Sequence, residues 1–154
     1  MIKSLVFDKD GVLLDLIETW LPVMQGLAEY TLGLVPADSG RPVSRAMLLS
    51  SVGINDDTGR VDPNGLFARG SFFEIRAVWQ TLLPAGMINL QEDESYRSEV
   101  KKIVRELGRG NAVAKGDLLT PLTQLSDAGF KLAVLTNDSE GSARQGLEEV
   151  GIAH

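Results

Sequence analysis

Two carboxylates, Asp8 and Asp10, stand two residues apart directly after the apolar run KSLVF at 3–7, and Gly11 follows them. An apolar run that ends in polar residues and a glycine reads as a buried strand running into a tight turn. Once the chain turns, both carboxylates can face one crevice. One can attack a phosphoryl group to give an acyl-phosphate, which splits a hard hydrolysis into two easier steps. The other can protonate the leaving oxygen and then activate water. Clustered acidic oxygens also suit Mg²⁺, a hard cation that keeps several waters and offsets carboxylate–phosphate repulsion. Gly11 permits a turn whose N–H groups can face phosphate oxygens. A bare D-x-D pair is also common as ordinary polar punctuation at a strand end. An EF-hand calcium loop is excluded, because Gly11 falls two residues too early and Leu14 occupies a position that needs an oxygen ligand.

A second apolar run, KLAVL at 131–135, ends at Thr136-Asn137-Asp138. Two such strands suggest parallel neighbours in an α/β sheet, whose ligands bind at the carboxyl edge. Between them the pattern is helical. Ile17, Trp20, Leu21, Met24, Leu27, Ala28 and Thr31 share one helix face, with Pro22 marking an early turn or a kink. Further helices are expected from about Val43 to Val52, around Phe72–Leu82 up to Pro84, and around Tyr96–Leu107 up to Gly108. The Gly- and Asp-rich stretch 53–70 reads as a loop. Leu118–Leu125 and Ala143–Val150 give helices on either side of the second strand. The fold expected is α/β, a partial Rossmann-like parallel-sheet core formed by 1–15 and 110–154. An inserted α-helical cap takes up 16–109. Trp20, Phe72, Phe73 and Trp79 have the spacing of cap core. Asp15 is expected to cap the first helix, and Asp138 or Ser139 the last. Lys9 is expected to point away from the crevice, toward solvent or the cap, because alternate residues do so.

The string LVFDKDGVLLD resembles the first signature of phosphatases of the haloacid dehalogenase (HAD) superfamily, and KLAVLTND resembles the second. The stretches DKDGVLLDLIETW and LTNDSEGSARQGLEEVGI look closest to phosphoglycolate-phosphatase-like members. The resemblance covers both ends of the chain well and the helical stretch only as a pattern. It implies that Asp8 is the nucleophile and a Mg²⁺ ligand. It implies that Asp10 is the general acid/base and a ligand through its main-chain carbonyl. Thr136 then donates its hydroxyl to a phosphoryl oxygen, with Gly11 and Asn137 as further substrate contacts. An acid at Asp10 favours phosphatases and phosphomutases, since dehalogenases lack one there. The family's two later signatures, a lysine and a further acidic group, have no match in order, as Lys115 and Lys131 both precede Thr136. The expectation is therefore a chain truncated after the second signature, with impaired activity and bare sheet edges that a second copy could cover as a homodimer.

The chain has 154 residues, 44% hydrophobic and 23% charged, as ordinary globular domains do. Its formal net charge of −6 gives no general field for nucleic acid or anionic membranes. The absence of cysteine removes disulfides, thiolate catalysis and thiolate metal sites. Neither a signal peptide nor a membrane helix is expected, which makes the cytoplasm the default location. The sole histidine, His154, is expected to be exposed. The function expected is Mg²⁺-dependent hydrolysis of a small phosphorylated metabolite, phosphoglycolate being the single best candidate. The alternatives are a non-catalytic interaction module built on the same fold, and a sugar phosphomutase.

Overall fold

The computed structural model describes residues 3–40 and 42–153, so His154 lies outside the described residues. Strand β1 (Ser4–Asp8) is followed by helices α1 (Leu16–Gly33), α2 (Arg45–Ser51), α3 (Leu66–Arg69), α4 (Phe72–Leu82), α5 (Glu94–Gly108) and α6 (Leu119–Asp127). Strand β2 (Lys131–Leu135) and helix α7 (Glu140–Glu149) complete the order. The short α3 lies inside the stretch expected to be a loop. The glycines on both sides of it, Gly65 and Gly70, bound its four residues. Among the described residues no helix is long and apolar enough to cross a membrane.

Strands β1 and β2 pair in parallel, with Ser4 opposite Lys131 and Asp8 opposite Leu135. Among the described residues they form a sheet of two, so each strand has one edge without a ladder partner. Val6 is 63% exposed and Leu135 is 73% exposed. The chain divides into two compact units, one formed by residues 1–20 and 108–154, the other by 21–107.

In the first unit, the segment after β1 is stitched to the segment that returns after α5. Asp15 donates its N–H to the Val113 carbonyl at 2.7 Å and Lys115 donates to Leu13 at 2.8 Å. Leu14 is fully buried at this crossing and bridges Ala114 in antiparallel sense. Asp15 caps α1: its Oδ1 accepts the N–H groups of Ile17 at 3.0 Å and Glu18 at 3.1 Å. Ser139 caps α7 by accepting the Ser142 N–H.

The second unit is helical and holds most of the buried apolar residues, among them Met24, Leu27, Leu48, Leu49, Trp79 and Leu90. Pro22 lies inside α1. At Gly26 of α1 a Cβ would overlap the Leu107 side chain of α5. Thr31 and Tyr96 join the same helices through a buried hydroxyl–hydroxyl bond of 2.8 Å. Trp79 of α4 donates its indole N–H to the Leu48 carbonyl of α2 at 2.9 Å, so its polar atom is satisfied inside the core. Two apolar expectations do not hold. Phe73 is 62% exposed because the buried stripe of α4 runs through Ile75 and Trp79, and Phe73 falls beside it. Ile17 is exposed as well, since the first turn of α1 turns that side outward.

Candidate active site

The register that places Asp8 opposite Leu135 leaves Thr136 as the first residue beyond the partner strand. Asp8 and Thr136 therefore occupy the same carboxyl edge of the two-stranded sheet. Asp8 is exposed, and its Oδ1 accepts the Lys9 backbone N–H at 2.7 Å. Thr136 is half-buried, and its Oγ1 accepts the Asp138 N–H at 3.2 Å. That bond leaves the hydroxyl proton free to be donated elsewhere. Asn137 is exposed in the bend between them.

Gly11 has φ +83°, a left-handed conformation that a side chain makes costly. Its N–H donates to the Leu14 carbonyl at 2.7 Å. Gly11 thus shapes the turn, while its own N–H is engaged within it.

Asp10 is held more tightly than its neighbour in the motif. Its Oδ1 accepts from Lys9 Nζ at 2.9 Å and from the Trp20 indole N–H at 2.8 Å. Lys9 does not point to solvent or to the cap. Its side chain is 1% exposed, with Nζ 2.9 Å from Asp10 Oδ1 and 3.3 Å from Asp138 Oδ2. The alternation of side chains expected here applies within a strand, and Lys9 is already in the turn beyond β1. The Asp138 Oδ2 atom is buried and makes no hydrogen bond, so its contact with Lys9 is one of charge and not of directed geometry. Lys9 Nζ also lies 5.2 Å from the centre of the Trp20 ring, within reach of a cation–π attraction. A buried ammonium is stable only when carboxylates compensate it, and here two do so.

The helical spacing of Trp20 predicts packing within the helical insert. Trp20 belongs instead to the unit that carries Asp10. Neither Trp20 nor Asp138 has a spacing from Asp10 that a sequence pattern would pick out.

Thr136 and Asp138 also border an open cleft of about 920 Å³, whose other walls include Phe7, Leu122, Val134 and Leu147. Those walls are apolar, which suits packing better than a phosphate.

Among the described residues no cluster of three or more His, Cys, Asp or Glu side chains could hold a metal ion. Mg²⁺ does not require one, because it is commonly bound through one or two protein carboxylates together with water and phosphate oxygens. The oxygens that Asp8 and Asp10 bring to the turn are hard donors of that kind, so the donor set fits. Asp138 is the poorer candidate, since its Oδ2 faces the Lys9 ammonium.

No curated protein and no solved structure matches the chain. A family model described as haloacid dehalogenase-like hydrolase matches residues 2–154. With the match running over nearly the whole chain and an α/β fold around a small parallel sheet, the protein belongs to the haloacid dehalogenase-like hydrolases.

Proposed function

We propose that the protein hydrolyses a small phosphomonoester with Mg²⁺ as cofactor, through an aspartyl-phosphate on Asp8. The observation that carries this reading is the parallel register of Asp8 with Leu135, which gives one carboxylate and the Thr136 hydroxyl a common sheet edge. An Asp8 carboxylate oxygen attacks phosphorus, and the bond from phosphorus to the substrate oxygen breaks. Asp10 passes a proton to that leaving oxygen. In the second step water attacks the same phosphorus as Asp10 takes up a proton. Inorganic phosphate leaves, and the Asp8 carboxylate is restored. The Thr136 hydroxyl donates to a phosphoryl oxygen, with Asn137 and the turn at Gly11 as further contacts.

Asp8 through its carboxylate and Asp10 through its main-chain carbonyl would hold Mg²⁺. The ion supplies positive charge against the phosphoryl oxygens. We assign substrate selection to the helical insert, residues 16–109. Phosphoglycolate is the first substrate to try.

The test is release of phosphate from p-nitrophenyl phosphate and 2-phosphoglycolate, with Mg²⁺ or with a chelator. We expect weak turnover that needs Mg²⁺ and disappears in Asp8→Asn. Turnover unchanged in Asp8→Asn would sink the mechanism. A sugar phosphate returned as its isomer, with no phosphate released, would favour a phosphomutase.

The exposure of Val6 and Leu135 supports a second reading, in which the sheet engages a second copy as an interaction module. Light scattering after size-exclusion chromatography tests it: a concentration-independent monomer would remove it.

A further inference from the structure

The mechanism just proposed leaves Lys9 without a task, although it is the most deeply buried charged side chain near the reacting groups. Lys9 is 1% exposed, and its Nζ bridges Asp10 Oδ1 and Asp138 Oδ2. Placing an ammonium there costs desolvation, and a surface lysine in a turn would avoid that cost. Asp10 gains a specific constraint in return. One of its oxygens receives two donors, Lys9 Nζ at 2.9 Å and Trp20 Nε1 at 2.8 Å. Two donors on one oxygen fix the rotation of the carboxyl group and leave Oδ2 as the atom that can exchange a proton. Lys9 is itself anchored on three sides, by Asp10, by Asp138 and by the face of Trp20. Asp138 lies two residues past Thr136, so the same tether links the turn after β1 to the bend after β2.

We propose that Lys9 is a positioning residue for the hydrolysis assigned above: by joining Asp10 to Asp138 it pins Asp10 Oδ1 and presents Oδ2 to the leaving oxygen. The inference rests on Asp10 being the acid/base of that reading. The reach of Lys9 also defines its limits. Its Nζ is spent on two carboxylates, so its loss should disturb proton transfer more than the capture of substrate. The expected effect is therefore in kcat, with KM little changed. A charge-assisted hydrogen bond of this type is worth enough that its loss lowers the rate by about 10- to 100-fold.

The experiment compares wild type with Lys9→Met, which keeps the length of the side chain and removes the charge. Steady-state kinetics on p-nitrophenyl phosphate give the split between kcat and KM. In parallel, the indole N–H signals of Trp20 and Trp79 are followed by two-dimensional ¹H–¹⁵N NMR, with Trp20→Phe to assign them. Lys9→Met is expected to lower kcat at least tenfold, to change KM less than threefold, and to move the Trp20 signal. The Trp79 signal, which reports the bond to Leu48, should stay in place. A Trp20 signal that does not move, or a loss confined to KM, overturns the proposal.

If Lys9→Met does not give folded protein, Asp138→Asn is read in its place. It removes the second anchor of Lys9 and is expected to move the Trp20 signal and lower kcat severalfold. An unchanged signal and rate there would overturn the proposal equally. Inactive wild type with a Trp20 signal that still moves in Lys9→Met would sink the phosphatase reading and leave the tether in place.

Discussion

Lys9 Nζ lies 3.3 Å from Asp138 Oδ2, joining the first residue beyond β1 to the bend beyond β2. The ladder between these strands ends at Asp8 and Leu135, so this contact continues their association past the last paired residues. A parallel pair of five-residue strands is weak by itself. The loops at its carboxyl edge need some other restraint if they are to hold reacting groups still. The ion pair supplies it where the side chains are buried, and salt screens it little there. Asp138→Ala should therefore lower stability by about 1.5–3 kcal/mol, as loss of a partner to a buried charge does. The loss should be similar at 0.1 M and 1 M NaCl. Urea denaturation at the two salt concentrations checks both points, and a loss abolished by salt would mean that the pair is effectively solvated.

Gly11 has a conformation that another residue would resist. Its φ of +83° is left-handed, yet a Cβ built there meets nothing within 4 Å. The cost of Gly11→Ala is therefore one of backbone alone, about 1–2 kcal/mol. Urea denaturation should show that shift. A change well below it would mean that the turn relaxes to another conformation, and the Gly11–Leu14 hydrogen bond would then be dispensable.

Much of this site was legible because its residues sit at the ends of apolar runs. The runs ending at Asp8 and at Leu135 announce strands, and strand ends are where an α/β sheet exposes polar groups. The caps Asp15 and Ser139 were legible for a similar reason, since each stands next to a periodic apolar stripe. Lys9 was not, because its direction depends on where β1 stops. One residue past the strand the alternation rule gives no guidance, and the two carboxylates that draw Lys9 inward come from its neighbour and from the far end of the chain. The helical spacing of Trp20 is a real signal for packing. The spacing cannot say which unit the ring packs into, or that its N–H would meet Asp10. The short α3 escaped because four residues between glycines carry no periodicity.

Thr136 separates shape from chemistry in a way that can be measured. Thr136→Val keeps the branched side chain and removes the hydroxyl, which both accepts the Asp138 N–H and, in the proposed mechanism, donates to phosphate. Thr136→Ser keeps both hydrogen bonds. We expect kcat/KM for p-nitrophenyl phosphate to fall about 10- to 100-fold in Thr136→Val and less than about fivefold in Thr136→Ser. A larger loss in Thr136→Ser than in Thr136→Val would show that the methyl group, and so packing, is what matters at this position.

Glu149 makes the stability of the first unit sensitive to acid. Its carboxylate accepts the Gly110 N–H at 2.9 Å and the Ala112 N–H at 3.2 Å, clasping the segment after α5 to the end of α7. The Gln145 side-chain amide donates to it as well, at 2.8 Å. Partial burial works to raise its pKa. The bonds from Gly110, Gln145 and Ala112, aided by the charge of Arg109, outweigh burial and bring the value below 4.5. A carboxyl group with a lowered folded-state pKa binds its proton more readily in the unfolded chain. Its contribution is therefore fully present above about pH 4.5, the unfolded value, and is lost as the pH falls through the folded one. Glu149→Gln should destabilise the protein at pH 7 and matter progressively less as the pH drops below that range. Thermal melts of wild type and variant from pH 7 down to pH 3 should converge. Curves that stay equally far apart down to pH 3 would show that the defect of the variant does not come from the charge of Glu149.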